Sequence, residues 1–312
     1  AEVMYYKDLL DKFDVDVELI RPKNNSYKSA GETYITNKMS AENREQIKAY
    51  LGAIWEHIAK NIVSERRLDA AEFENKISNL ELCLPKDALA NKLIDEVSFK
   101  TDVEDMISKE VRAKHKLDKS DKITFVKYAK YRKTLTNIFN VKQENIAIVY
   151  AYGDVNQGKG SDLSIGSETI VKSIRKAAAN KSVKAIVLRV NSPGGDAIAS
   201  ELITNEVIKA KKIKPVIVSM GDVAASAGYE MSSNATKIVA QPVTITGSIG
   251  VFGVMPNFAR TLKTNLGITF DTVKTHKNSV GLSLTTPVSQ DVKMMMQRNV
   301  ENFYDNFITR VA

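Results

Sequence analysis

Two short stretches in the second half of the sequence set reactive residue types beside glycine and other small side chains. In SMGDVAASAGYEMSS, residues 219–233, an apolar run ends at Gly221, and Ser226 stands among alanines ahead of a helix-like segment. A serine at a strand-to-helix transition presents its Oγ to an open site, and the next backbone N–H, that of Ala227, is free to donate to a developing oxyanion. The stretch lacks the GxSxG pattern, and a serine that only caps a helix fits the same residues. In NSPGGD, residues 191–196, a Pro-Gly-Gly turn follows the apolar run AIVLRV. Glycine lets backbone N–H groups face a site with no side chain in the way, which suits an oxyanion; an ordinary strand-to-helix turn has the same composition.

A nucleophilic serine needs a base. His276 is the only histidine after residue 144, and its neighbours Lys274 and Lys277 fit a solvated surface histidine better than a triad member. A lysine can take its place where burial keeps the amine neutral, as in Ser-Lys variants of the triad. With 45 lysines and arginines in the chain, composition does not single one out.

The elements that must position these residues read as α/β. From residue 146, apolar runs (IAIVYAYG, AIVLRVN at 185–191, PVIVSM at 215–220, KIVAQ at 237–241) alternate with helical stretches over 167–179 and 197–211. That alternation predicts buried strands of a mainly parallel sheet with covering helices. The first hundred residues hold a helix (4–13), a strand (17–21) and a long helix (46–62), too few for a domain of their own. Internal similarity explains them. FDVDVELIRPKNNS, ending at Ser26, resembles FDTVKTHKNS, ending at Ser279, and each precedes a loop and a long helix, the second over 294–311. The expected organisation is the C-terminal part of a first α/β repeat (1–100), a basic helical linker (101–143) and a second α/β repeat (144–312), the first incomplete at its start and the second at its end.

Composition narrows the classes further. The 312 residues are 43% hydrophobic and 26% charged with seven prolines, so the chain should fold rather than stay disordered. One cysteine, Cys83, excludes an internal disulfide and a multi-thiolate zinc site, and no HExxH or HxH pattern occurs, so no metal is expected. No apolar run reaches the roughly 18 residues of a membrane span. The net charge is +8, and ten basic residues fall within 109–133. A solvated connector explains that run; contact with nucleic acid or lipid head groups is its alternative.

NSPGGD, VSMGDVAASAGYEMS and TGSIGVFG (246–253), in this order and spacing, resemble the signal peptide peptidase A family, also called protease IV, in its long two-repeat form. RPKNNSYKSAGE (21–32) is similar to the segment that supplies that family's catalytic lysine. The resemblance implies tandem crotonase/ClpP-like repeats and a serine endopeptidase with a Ser-Lys dyad: Ser226 as nucleophile, Lys28 as general base, the N–H groups of Gly195 and Ala227 as oxyanion hole, and Ser248 orienting the lysine. Ala227 departs from the family's usual glycine; the N–H survives, but the methyl group narrows the site. In the second repeat Gly281 falls opposite Lys28, so one dyad per chain is expected, shared between the repeats, unless a neighbouring chain supplies the lysine. The resemblance further implies cleaved signal peptides and other apolar peptides as partners, a homo-oligomer (a tetramer), and no cofactor. It places the protein at the bacterial cytoplasmic membrane, facing the periplasm or exterior, anchored by a segment missing from this chain; nucleic acid is not expected as a partner. A crotonase-type acyl-CoA enzyme and a non-enzymatic basic scaffold binding lipid or nucleic acid are the competing readings.

Overall fold

The computed structural model describes residues 2–135 and 145–312. The chain forms two compact units, Ala1–Ile54 with Glu144–Ala312, and Trp55–Gln143. The boundary after residue 143 falls where the sequence places it, whereas the other falls after residue 54 and not at 100, and the first residues join the second repeat through a strand hydrogen-bonded to one beyond residue 250. Residues 136–143 of the expected linker lie outside the described residues.

The chain opens with helix α1 (Lys7–Lys12), strand β1 (Asp16–Ile20) and, after a loop, helix α2 (Ala41–Arg66). In the Trp55–Gln143 unit, Asp69 caps α3 (Ala70–Ser78) by accepting from the Glu72 N–H. Phe73 of α3 is buried and stacks on Trp55, ring centroids 6.2 Å apart. Helix α4 (Pro85–Ala90) starts on proline, whose missing N–H costs nothing there. The basic run falls on the end of α5 (Lys100–His115), a loop and α6 (Tyr128–Leu135).

Beyond residue 144 come β2 (Asn145–Tyr152), the short strands β3 (Asp154–Asn156), β4 (Gly160–Ser161) and β5 (Ser164–Gly166), then α7 (Ser167–Ala179), β6 (Val183–Ser192), α8 (Ala197–Lys211), β7 (Val216–Ala225), α9 (Ala227–Ser233), β8 (Lys237–Val239) and β9 (Ile245–Gly247). A parallel sheet runs β2-β6-β7-β8, with β9 also pairing β7. Helices α7 and α8 have the bounds expected from the sequence. Their buried positions, Ile170, Ile174 and Ala177 on one and Ala199, Ile203, Val207 and Ala210 on the other, recur at helical spacing. They close over Ile186, Leu188, Val190, Val216 and Val218, all fully buried.

Strand β2 departs from the buried strand expected. Ile146, Ile148, Tyr150 and Tyr152 are exposed while Val149 and Ala151 are buried. It is an edge strand paired only to β6 among the described residues, and α7 packs against one face. Period-two alternation then sends every second side chain to the uncovered face.

After β9 the chain forms β10 (Gly253–Asn257), α10 (Ala259–Leu266) and α11 (Gln290–Val311). β10 pairs antiparallel with β1, Ile20 opposite Gly253 and Asp16 opposite Asn257. The two long helices with matching sequence, α2 and α11, both form. Residues 270–273, aligned with part of β1 in the sequence, form no strand, and Val273 is fully exposed. The difference is one of pairing: β1 has a ladder partner in β10 and 270–273 has none among the described residues, and an unpaired strand has no hydrogen bonds to hold it.

Burial predicts how unequal the two faces of the sheet are. Leu188→Ala, at a fully buried position, should lower unfolding free energy in urea by about 2–5 kcal/mol, whereas Ile148→Ala, on the open face of the edge strand, should change it by about 1 kcal/mol or less. Equal losses for the two variants would mean that the open face is covered.

Candidate active site

Lys28 lies on the loop that follows β1, and that strand's register with β10 carries the loop to the segment 247–253. Two contacts fix it there. Asn25 Nδ2 donates to the Ile249 carbonyl at 3.0 Å. Gly250 permits the close approach: a Cβ at this position would lie 2.5 Å from Asn25 Nδ2 and 3.1 Å from Lys28 Cδ. The lysine is 5% exposed. Its Nζ donates to the Ser248 carbonyl at 2.8 Å and to Ser248 Oγ at 3.0 Å, and lies 3.2 Å from Ser226 Oγ. Among the described residues no carboxylate pairs with it. Burial without a counter-charge disfavours the ammonium and lowers the lysine from its usual 10.5 to about 8.

Ser226 occupies the corner between β7 and α9 with φ 52° and ψ −123°. This conformation is costly for a residue with a Cβ, of order 1–3 kcal/mol, so the surroundings must impose it. They do so through the backbone: the Ser226 N–H donates to the Gly247 carbonyl at 2.9 Å, and the Ser226 carbonyl accepts from the N–H groups of Tyr229 and Glu230, each at 2.9 Å. The side chain is thereby raised out of the sheet at a strained corner, without a GxSxG sequence.

The Pro-Gly-Gly turn packs directly against this corner. Gly194 has φ +113°, and a Cβ there would stand 2.7 Å from Ser226 Cβ and 3.0 Å from the Ala227 nitrogen, so only glycine fits. On either side of Gly195 the N–H groups are engaged: that of Gly194 donates to Ser192 Oγ at 3.1 Å, and that of Asp196 to the Val155 carbonyl at 2.8 Å. The Gly195 N–H makes no hydrogen bond among the described residues, nor does the Ala227 N–H at the first position of α9. Two unsatisfied donors thus flank a hydroxyl that has a low-pKa amine within hydrogen-bond reach. This arrangement can take a proton from an attacking oxygen and hold the negative charge that follows.

Lys28, Ser226, Ser248, Gly195 and Ala227, all five residues expected from the sequence, therefore meet in one place. His276 does not join them: it is exposed, and its ring contacts Thr275. Asn25 and Gly194 were not singled out by the sequence. Nothing in the residue types around Asn25 announces its bond to Ile249, 224 positions away. A groove of about 830 Å³ along β1 and β10, lined by Asp16, Glu18, Asn257, Arg260 and Lys293 among others, contains none of the five. Among the described residues no group of histidine, cysteine and carboxylate side chains is arranged to hold a metal ion, and no helix is long and apolar enough to cross a membrane.

With this geometry in place, resemblance to other proteins becomes informative. The chain is 35% identical over 317 residues to "Protease 4" of Salmonella typhi, covering 99% of this chain and 50% of that protein. It is 31% identical over 296 residues to "Serine protease SPPA, chloroplastic" of Arabidopsis thaliana, covering 92% of this chain and 42% of that one. The chain thus spans about half the length of the curated relatives it matches. Among solved structures it is similar to a ClpP1 mutant from Listeria monocytogenes, at 25% identity and a TM-score of 0.22 over 28% of this chain and 46% of that one, a likeness confined to a small part of both. The model of Peptidase family S49 matches residues 1–114 and 208–312, which hold Lys28, Ser226, Ala227 and Ser248. On that match, and on identity running almost the whole length of the chain, this protein belongs to peptidase family S49.

Proposed function

We propose that this protein is a serine endopeptidase working through a Ser226–Lys28 dyad. The observation that carries the reading is the 3.2 Å approach of the Lys28 amine to the Ser226 hydroxyl, in a place dry enough to lower the lysine to about 8. A neutral amine has two N–H donors and one lone pair. The two oxygens of Ser248 accept both donors, which leaves the lone pair for the Ser226 O–H. Lys28 takes that proton as Oγ bonds to the peptide carbonyl carbon, and the N–H groups of Gly195 and Ala227 hold the oxyanion. The Lys28 ammonium then protonates the leaving amine as the C–N bond breaks, giving an acyl-enzyme and a free amino terminus. A water gives its proton to Lys28 and its oxygen to the acyl carbon, and the proton returns to Ser226 as the carboxylic product leaves. The acid–base steps use only this chain's own groups, so the reading includes no cofactor.

The proposed substrates are cleaved signal peptides and other apolar peptides. Supporting this are the family and the SPPA name of a relative. The proposal extends to tandem crotonase/ClpP-like repeats, to a homo-oligomer and to a place at the bacterial cytoplasmic membrane, all by family resemblance.

Cleavage of an apolar oligopeptide should disappear in Ser226→Ala and fall by about 10²–10⁴-fold in Lys28→Ala, the usual contribution of a general base. In the unaltered protein kcat/KM should rise with pH and level off above about 8, as Lys28 loses its proton. A rate flat from pH 6 to 10, or a Lys28→Ala variant at full speed, would remove lysine from the mechanism.

The same burial has a stability signature. The folded protein deprotonates Lys28 near pH 8 while the unfolded chain holds the proton to about 10.5. Below pH 8 the cost of burying the ammonium is fully present, and between 8 and 10.5 the unfolded state binds more protons, so stability rises with pH as this cost is released. Lys28→Met should therefore be inactive yet more stable than the parent at pH 7, with an advantage that shrinks by pH 10. Urea midpoints across this range check it; an advantage independent of pH would mean that Lys28 is not held neutral.

A further inference from the structure

The base and the nucleophile lie 198 positions apart and on separate elements, so something must set the distance between them. Strand pairing holds the Lys28 loop from the side of β10. The other support is α11, whose buried side chains Val292, Val300 and Phe307 run along its length. Near its start, Lys293 pairs with Glu18 of β1 at 2.6 Å, and Gln297 Nε2 donates to the carbonyl of Arg21, seven residues before Lys28, at 3.0 Å. At its end, Arg310 forks: Nη1 donates to Glu230 Oε1 of α9 at 2.7 Å, and Nη2 to Glu201 Oε1 of α8 at 2.6 Å. Glu230 is buried, and its N–H donates to the carbonyl of Ser226. One helix therefore grips the segment that leads to the base and the helix that begins at the nucleophile.

We propose that α11 is a brace that sets the separation of Lys28 and Ser226, with Gln297 and Arg310 as positioning residues at its two ends. The inference rests on the dyad reading above. A charge-assisted fork that engages a buried glutamate is stiff, and a general base misplaced by a fraction of an ångström loses rate while substrate binding is untouched. The two residues stand about 20 Å apart along the helix, at 1.5 Å per residue, too far to touch. Their effects would ordinarily be independent; a brace makes them one effect, because releasing either end frees the same distance.

The test is a double-mutant cycle on the full chain with an apolar oligopeptide, assayed well below each variant's Tm. Gln297→Leu and Arg310→Met should each lower kcat by about tenfold with KM unchanged within twofold, and should slow labelling of Ser226 by a fluorophosphonate in parallel. Arg310→Lys, which keeps a charge for Glu230, should recover part of the loss, and it replaces Arg310→Met in the cycle if that variant does not fold. The double variant should lose little more than either single one. Losses that multiply to about a hundredfold, or lower Tm with unchanged kcat, would overturn the brace while leaving the dyad intact, provided Ser226→Ala is inactive. Cleavage surviving in Ser226→Ala would overturn the dyad reading, and the brace with it.

Discussion

The structure turns on one amine kept out of water. Lys28 places its Nζ within reach of the Ser226 hydroxyl and of both oxygens of Ser248, and among the described residues no carboxylate pairs with it. A counter-ion would hold the lysine charged and useless as a base. Its neutrality near pH 8 comes from desolvation alone, so whatever excludes water from the loop after β1 is part of the chemistry. That exclusion is built by three contacts: the β1–β10 ladder, the bond from the Asn25 side chain to the Ile249 carbonyl, and a glycine at 250 that lets the lysine stem lie against the main chain.

The nucleophile is arranged on the opposite principle, by imposed strain. Ser226 sits at a positive φ that a free chain would avoid, held by the Gly247 carbonyl on one side and the first turn of α9 on the other. The same corner leaves the Ala227 N–H without a partner among the described residues, and the packing of Gly194 on Ser226 brings the unpartnered Gly195 N–H alongside. Two donors with no partner among the described residues, beside one hydroxyl, mark where negative charge is to be received. Strain and unsatisfied donors coincide here because the turn at 192–196 and the corner at 225–227 are each other's packing partners.

Much of this was legible in the sequence, and for identifiable reasons. The helices over 167–179 and 197–211 carry their apolar residues at helical spacing, and the sheet fixes nothing about them that the pattern does not already contain. The serine corner and the Pro-Gly-Gly turn are local, so residue type and order were enough. Lys28 was different. Among 45 basic residues its selection depended on family resemblance, because the cause of its reactivity is a set of contacts more than 190 positions away. Long-range contact also explains what the sequence misjudged. The boundary near residue 100 ignored the β1–β10 pairing, β2 was read as fully buried because an apolar run carries no sign of which face is covered, and 270–273 resembles β1 yet finds no partner strand among the described residues.

Drawing the dyad from two ends of the chain has a consequence for when the site can exist. The corner at Ser226 depends on β7, β9 and α9, all formed from residues 216–247, and could form without the first fifty residues. The base cannot: β1 has no ladder until β10 is made, and the Lys28 loop has no anchor until residues 248–250 lie beside it. In a chain without these contacts, Lys28 is solvated and returns toward 10.5, where at neutral pH it is an ammonium that accepts no proton. The serine is then an ordinary hydroxyl on a strained turn. Reactivity is thereby tied to the joining of the two ends of the chain rather than to any one element, because the contacts that dry the amine are made between them.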